Sequence, residues 1–391
     1  MKKKTYLCTS EIKQQNNMKK NILLLITTVA MAASFVGCAN KNAYTINGQI
    51  SEPAFNGLTV YLETIDNYSV IDSAVVANGR FTIKGITEEP CMASLMVSDP
   101  LKGIGCRSIL VIEPGKIAIN LMTDSLGGTP LNDNLFNTVN SNTEMGELAA
   151  QMEKYYRQYL AAESPEARNA AKTDYEKAEA EAKALTVELS RQMYFQNKEN
   201  VLGAYALHMM VENDGITFDS LDALLANAAP AIANYAPLRE ARTLLFHLDN
   251  TSAGKKYADL QGINFATGKK TNLSNMISNK QITLLDFWAS WCGPCRREIT
   301  EYLVPLYKKY KDKGVNIIGV NVSDKMDKHR AAVEELGITY PQFIDTTTNA
   351  ITTYAVQGIP QIMLLDKNGT IVARDLRGEA IEEAITQALA K

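Results

Sequence analysis

Asp286-Phe287-Trp288-Ala289-Ser290-Trp291-Cys292-Gly293-Pro294-Cys295 is a buried-strand pattern that runs directly into a helix start. The apolar run from Ile282 to Ala289 is what a strand covered on both faces requires. Gly293-Pro294 then opens a helix, because proline is preorganised for the first helical position. Two cysteines at i and i+3 in that first turn are close enough to form a disulfide, with Cys292 at the helix start and Cys295 deeper. Unpaired N–H groups at a helix start favour a thiolate. The spacing therefore predicts thiol chemistry in which Cys292 attacks and Cys295 resolves the mixed disulfide. The other reading of this spacing is half of a zinc site. Such a site needs a second close pair, and Cys91 and Cys106 stand fifteen positions apart in another region. His208, His247 and His329 are scattered without ligand spacing, so no metal is expected.

Outward from this stretch, strand and helix periods alternate. Val315 to Val322 reads as a strand, Ala331 to Leu336 as a helix, and Ala350 to Ala355 as another. Ile359 to Ala373 reads as a hairpin through Asn368-Gly369, and a last helix begins at Glu379. That order predicts an α/β domain over residues 251–391, a mixed sheet with helices on both faces. No Walker or Gly-x-Gly-x-x-Gly motif occurs.

The strand, the dithiol and the following Arg296-Arg297-Glu298 resemble the thioredoxin superfamily, in particular its TlpA/ResA-like thiol-disulfide oxidoreductases. The resemblance covers about a third of the chain and implies further site residues. Gly358-Ile359-Pro360 matches the place where a cis-proline lies against the dithiol. It leaves the backbone of Ile359 free to pair with an extended substrate segment, on a docking surface shared with Trp291, Gly293, Pro294 and Pro360. Asp286 matches the buried aspartate that accepts the resolving thiol's proton, and Glu298 the glutamate given that task in ResA-like proteins; a purely structural role stays open for each. Trp288 is expected in the core, and Arg296 and Arg297 either face solvent or favour an acidic partner. The implied cofactor list is empty apart from the redox-active disulfide Cys292–Cys295. Gly-Pro between the cysteines is what reducing members carry, so the resemblance implies a protein-disulfide reductase fed by a membrane electron donor, with a disulfide oxidase or isomerase as alternatives. Some relatives serve cytochrome maturation, which makes apocytochromes one allowed substrate class. Arg296 follows Cys295, so the chain has no haem-attachment Cys-x-x-Cys-His here. A peroxidatic pattern is absent, since Leu285 and Ala289 stand where Pro and Thr or Ser would be. The family commonly has Pro where Thr300 stands, and here Pro305 comes five residues later, which puts the helix kink in question.

Two other regions precede this one, so the chain reads as multidomain. Residues 46–140 read as an antiparallel β-domain, sandwich-like or an open barrel, with Asn78-Gly79 before Phe81 and Ile83 as a hairpin signal. Cys91 and Cys106 form an even pair for which a structural disulfide is allowed, against two free thiols or a second redox pair. Residues 141–250 are rich in Ala, Glu, Lys and Gln, with Glu153 and Arg157 at i, i+4, and predict three to five helices punctuated by Pro165, Pro230 and Pro237. Tyr155, Tyr156, Tyr159 and Leu160 read as a stripe packed into the core.

At the N-terminus, Met18-Lys19-Lys20 precedes a mostly apolar run to Gly37, shorter than the ~20 residues that span a bilayer. Residues 1–37 read as a signal peptide with Met18 as the expected start, and 38–45 as a tether. Phe35-Val36-Gly37-Cys38 resembles the lipobox of bacterial lipoproteins, which implies lipidation of Cys38 and a membrane-anchored protein facing the periplasm. The net charge is −3; residues 1–37 carry six Lys against Glu11, or +5, which leaves −8 for the rest. That argues against nucleic-acid binding, which needs a basic footprint. A competing reading from another class is a lipid-anchored binding protein whose thioredoxin fold is mainly scaffold.

Overall fold

The computed structural model describes residues 40–390 except 66, 67, 102, 141, 279, 280 and 348. The expected signal peptide, residues 1–37, and the lipidation expected at Cys38 fall outside the described residues. The chain forms two compact units, one ending at Arg239 and one beginning at Glu240.

In the first unit, β1 (Ala43–Gln49), β2 (Thr59–Thr64), β3 (Val70–Val75), β4 (Arg80–Ile86), β5 (Cys91–Asp99), β6 (Ile104–Ile112), β7 (Gly115–Asn120) and β8 (Ser125–Gly127) build two four-stranded sheets, ordered β4-β1-β7-β8 and β3-β2-β5-β6. Asn78 and Gly79 take φ of 51° and 71°, as a two-residue hairpin turn needs, and join Ala77 to Arg80. One pairing corrects the antiparallel expectation: β1 runs parallel to β7, with Tyr44 opposite Gly115. The chain reaches β7 only after building the other sheet, and no local pattern announces a pairing of that separation.

The allowed disulfide in this unit is also corrected. On the β5–β6 ladder Cys91 lies opposite Ile112 and Cys106 opposite Val97. Six residues of strand therefore separate them, or ~20 Å at ~3.3 Å per residue, far beyond the ~7 Å between Cα atoms that a bridge tolerates. Both thiols are free. Burial pushes the Cys106 thiol up to about 11 and raises that of Cys91, which makes both poor nucleophiles.

The helices are α1 (Pro130–Leu135), α2 (Thr143–Ala161), α3 (Pro165–Gln196), α4 (Val201–Asp214), α5 (Phe218–Ala226), α6 (Pro230–Ala233) and α7 (Ala236–Asn250), the last crossing the unit boundary. Six of these follow residue 141 among the described residues, one more than the upper expectation, because the four residues after Ala229 close a separate turn. Asn142, Ser164, Asn200 and Thr217 accept backbone N–H groups as N-caps, and Pro165 and Pro230 occupy first turns. The tyrosine stripe is only partly core. Tyr156 meets Tyr175 across α2 and α3 with ring centroids 6.4 Å apart, while Tyr159 and Leu160 are exposed.

A buried Asn132 ties α1 to β6. It accepts the Val111 N–H at 2.9 Å and donates to the Val111 carbonyl at 2.8 Å, while Glu113 Oε1 accepts the Leu131 and Asn132 N–H groups at 2.8 and 3.0 Å. Asn132→Ala leaves a buried backbone N–H and C=O unpaired and is expected to destabilise this unit by about 2–4 kcal/mol. Chemical denaturation of the full chain checks it; a midpoint unchanged in the first unit's transition would contradict it.

The second unit contains β9 (Gln261–Asn264), β10 (Lys269–Asn272), β11 (Ile282–Trp288), α8 (Gly293–Glu298), α9 (Val304–Tyr310), β12 (Val315–Asn321), α10 (Met326–Glu335), β13 (Gln342–Asp345), α11 (Asn349–Thr353), β14 (Gln361–Leu365), β15 (Ile371–Ala373) and α12 (Glu379–Leu389). Its sheet is ordered β10-β9-β13-β12-β11-β14-β15. β11, β12 and β13 are parallel, and β14 runs antiparallel to β11. Alternation along β11 divides the core. Ile282, Leu284 and Trp288 pack with Cys295, Ile299 and α12 on one face, and Leu285 and Phe287 with Ala350 and Tyr354 on the other. Between α8 and α9 the helix widens, with the Val304 N–H bonded to the Ile299 carbonyl, one residue before Pro305. The bulge absorbs the backbone bond that Pro305 cannot make.

Candidate functional site

The dithiol stands where β11 gives way to α8. Cys292 is the N-cap of α8: its Sγ accepts the Cys295 N–H at 3.1 Å. Cys292 and Cys295 are joined as a disulfide with Cα atoms 5.3 Å apart. Cys292 is 5% exposed and Cys295 fully buried, so only the first sulfur borders solvent. Gly293 and Pro294 are exposed beside it, and Trp291 is 66% exposed, as expected of residues lining a docking surface. Trp288 is fully buried and donates from Nε1 to Gln342 Oε1 at 3.0 Å. That amide lies against Gly319 of β12, where a Cβ would meet Gln342 Oε1 at 2.3 Å.

The Ile359–Pro360 peptide is cis, and the Ile359 carbonyl oxygen lies 3.6 Å from Cys292 Sγ. A disulfide sulfur carries no hydrogen, so this is contact rather than a hydrogen bond. Pro360 is buried, and its carbonyl accepts from Arg377 Nη2. The next residue, Gly378, donates its N–H to Glu298 Oε1 at 2.6 Å. The segment before α12 thus touches both halves of the site, the proline loop and the helix of the dithiol. Glu298 is half-buried in consequence, not free in solvent.

Asp286 is fully buried, and the alternation of β11 puts its side chain on the face of Leu284 and Trp288, under Cys295. Burial is the main force pushing its carboxyl up to about 8. The Glu298 charge adds to this, while the Arg377 guanidinium and the Tyr340 hydroxyl oppose it. Neither Asp286 oxygen nor the Tyr340 hydroxyl completes a hydrogen bond of normal geometry, yet the two are near enough to influence each other's ionisation. A buried acid with a proton to hold or release, behind a helix-capping thiol, is an arrangement suited to thiol-disulfide exchange.

Among known proteins, residues 253–374 match the AhpC/TSA family, and residues 44–135 match a domain of unknown function (DUF4369). Thiol-disulfide oxidoreductase ResA of Bacillus cereus is 36% identical over 124 residues, 32% of this chain and 69% of that protein. The chain belongs to the ResA family of thiol-disulfide oxidoreductases. A ResA from Bacillus subtilis (strain 168) is 31% identical over 105 residues, covering 27% of this chain and 57% of its own. Solved structures similar to this ResA-family chain include the thioredoxin domain of a Bacteroides vulgatus thiol-disulfide oxidoreductase (29% identity, 35% of this chain, 96% of that one, TM-score 0.32). Another is a thiol:disulfide interchange protein from Bacteroides sp. (28% identity, 36% and 93% coverage, TM-score 0.33).

Tyr340 and Arg377, which flank Asp286, were not among the sequence-predicted site residues. Each comes from a segment distant in sequence, and the only sequence signal is a polar or charged residue beside an apolar strand or helix start.

Proposed function

We propose that this ResA-family enzyme reduces protein disulfides outside the cytoplasm through Cys292 and Cys295. The observation that carries the reading is the capping sulfur of Cys292 at the surface, against the Ile359 carbonyl, with Cys295 and Asp286 buried behind it. In the reduced enzyme the Cys292 thiolate attacks a substrate disulfide, forming a mixed disulfide and releasing one substrate thiolate, which takes up a proton. Cys295, losing its proton, attacks Cys292 Sγ; the second substrate thiol leaves and the enzyme disulfide forms. Two electrons have passed to the substrate, and a dithiol donor in the membrane returns them. The Gly-Pro between the cysteines supports the reducing direction, and the lipobox-like Phe35-Val36-Gly37-Cys38 supports export and anchoring by lipid at Cys38. Among the described residues no helix is long and apolar enough to cross a membrane.

The test is the reduction potential of the dithiol, followed by fluorescence because Trp288 and Trp291 flank the site. A value near −250 mV or lower is expected for a reductase. One near −120 to −180 mV would make the protein an oxidase or isomerase instead.

A further inference from the structure

Between Trp288 and Cys292 the chain turns through Ala289-Ser290-Trp291, and this turn is held from outside by the segment that follows β12. The Trp288 carbonyl accepts the Val322 N–H at 3.2 Å, and Trp291 Nε1 donates to the Ser323 carbonyl at 3.3 Å. Ser290 contributes the strongest link. Its N–H and its hydroxyl donate to the two oxygens of Asp324, each at 2.6 Å.

Asp324 is in turn fixed from behind. Asn321 Nδ2 donates to Asp324 Oδ2 at 2.7 Å, and the Asp324 N–H donates to Asn321 Oδ1 at 3.2 Å. His329 Nδ1 lies 3.0 Å from Asn321 Nδ2 and 3.7 Å from Asp324 Oδ2; the His329 and Asp324 side chains are 1% and 2% exposed. Burial draws the His329 pKa down to about 4, against the pull of Asp324, so near neutral pH the ring is uncharged. It packs on Trp288 and Phe265 with ring centroids 4.9 and 5.1 Å away. Asn321 Nδ2, placed between Asp324 Oδ2 and His329 Nδ1, donates toward both, so Nδ1 serves as an acceptor there. The two acceptor oxygens of Asp324 match the two donors of one residue in the turn. Alanine at this position removes both acceptors and leaves the Ser290 N–H without its partner, whereas asparagine keeps the grip by taking that N–H on its carbonyl and turning its NH2 to Ser290 Oγ, which also accepts.

We infer that Asp324 is a positioning residue for exchange with protein disulfides: by gripping Ser290 it fixes Cys292 and Trp291 relative to Ile359. The inference rests on the dithiol reading above. A protein disulfide must reach Cys292 Sγ while its chain lies along Ile359, so a displaced turn breaks two requirements at once. A small disulfide needs only the sulfur.

The experiment compares full-length wild type, Asp324→Ala and Ser290→Ala, each reduced, in their rates with insulin and with hydroxyethyl disulfide. Asp324→Ala is expected to slow insulin reduction about tenfold or more, since misplacement by ~1 Å can cost about a hundredfold. The small-disulfide rate should stay within about threefold of wild type, because it asks nothing of Ile359. Ser290→Ala keeps the backbone bond to Asp324 and should give a smaller loss of the same selectivity. If Asp324→Ala does not fold, that selectivity in Ser290→Ala decides the matter. Equal losses with both disulfides, or none with either, overturn the inference. Wild type that reduces neither disulfide would instead overturn the dithiol reading and take the inference with it.

Discussion

Cys292→Ser is expected to lower protein-disulfide reduction by about a thousandfold or more, whereas Cys295→Ser should keep the first attack and accumulate a mixed disulfide with substrate. The asymmetry follows from the site. Cys292 caps α8 and borders solvent, while Cys295 is buried and can reach only the sulfur already in front of it. Serine has no thiolate at working pH, so the capping N–H groups have nothing reactive to stabilise. Helix-start stabilisation alone accounts for little of the loss. Lowering a thiol pKa from about 8.5 to about 7 raises the thiolate fraction at pH 7 from roughly 3% to roughly 50%, but intrinsic nucleophilicity falls about fivefold, for a net gain of about threefold. Most of the rate must come from holding the partner disulfide against Cys292 and Ile359. Non-reducing electrophoresis and thiol-specific mass spectrometry read the trapped species directly. If Cys295→Ser traps nothing and Cys292→Ser does, the roles are reversed. If Cys292→Ser preserves the biological role of the chain, the thioredoxin fold is a scaffold and the binding-protein reading stands.

The parts of the site legible from sequence are those whose meaning is local. A strand ending in Cys-x-x-Cys places both sulfurs at a helix start wherever the strand packs, whereas Ile359-Pro360 and Asp286 were legible only through the resemblance to the thioredoxin superfamily. Residues that act through packing were not legible. Tyr340 reaches Asp286 from the segment before β13, Arg377 reaches Pro360 from the segment before α12, and Asp324 reaches Ser290 across the β11–β12 pair. Each is an ordinary polar residue until the sheet order is known. The same limit governs the fold. Caps and first-turn prolines mark the helices, but β9 and β10, Gln261-Gly262-Ile263-Asn264 and Lys269-Lys270-Thr271-Asn272, offer a single large apolar side chain between them, because they lie at and next to a sheet edge where burial asks little. The parallel β1–β7 pair escaped for the opposite reason: both strands are well patterned, and the pattern does not say with which neighbour or in which direction they pair.

Asp286→Asn is expected to stabilise the oxidised second unit at neutral pH and to remove the rise of the resolving rate with pH. In the folded protein the Asp286 carboxyl is raised from 3.8 to about 8, chiefly by burial. In the unfolded chain it titrates near its ordinary value. Between those two pH values the folded state binds a proton that the unfolded state has released, so the stability contribution is fully present below about 4 and is lost as pH rises toward about 8. The loss approaches about 1.4 kcal/mol per pH unit in that window, or several kcal/mol by pH 7. Asparagine has no such proton. Its stability should therefore diverge upward from wild type between about pH 4 and 8, by on the order of 10 °C in thermal midpoint at pH 7 for a unit of this size. Kinetics move the other way. With a pKa near 8, only about a tenth of Asp286 is ionised at pH 7 and ready to accept the Cys295 proton, so the wild-type resolving rate should climb roughly tenfold per pH unit below 8. Asp286→Asn should flatten that climb and slow the step about a hundredfold at pH 8. Glu298→Gln separates the two carboxylates, since it removes the Glu298 charge while keeping an oxygen for the Gly378 N–H. If the climb survives in Asp286→Asn and disappears in Glu298→Gln, Glu298 and not Asp286 is the acceptor. Parallel stability profiles for wild type and Asp286→Asn would mean that Asp286 titrates at its ordinary value and neither effect follows.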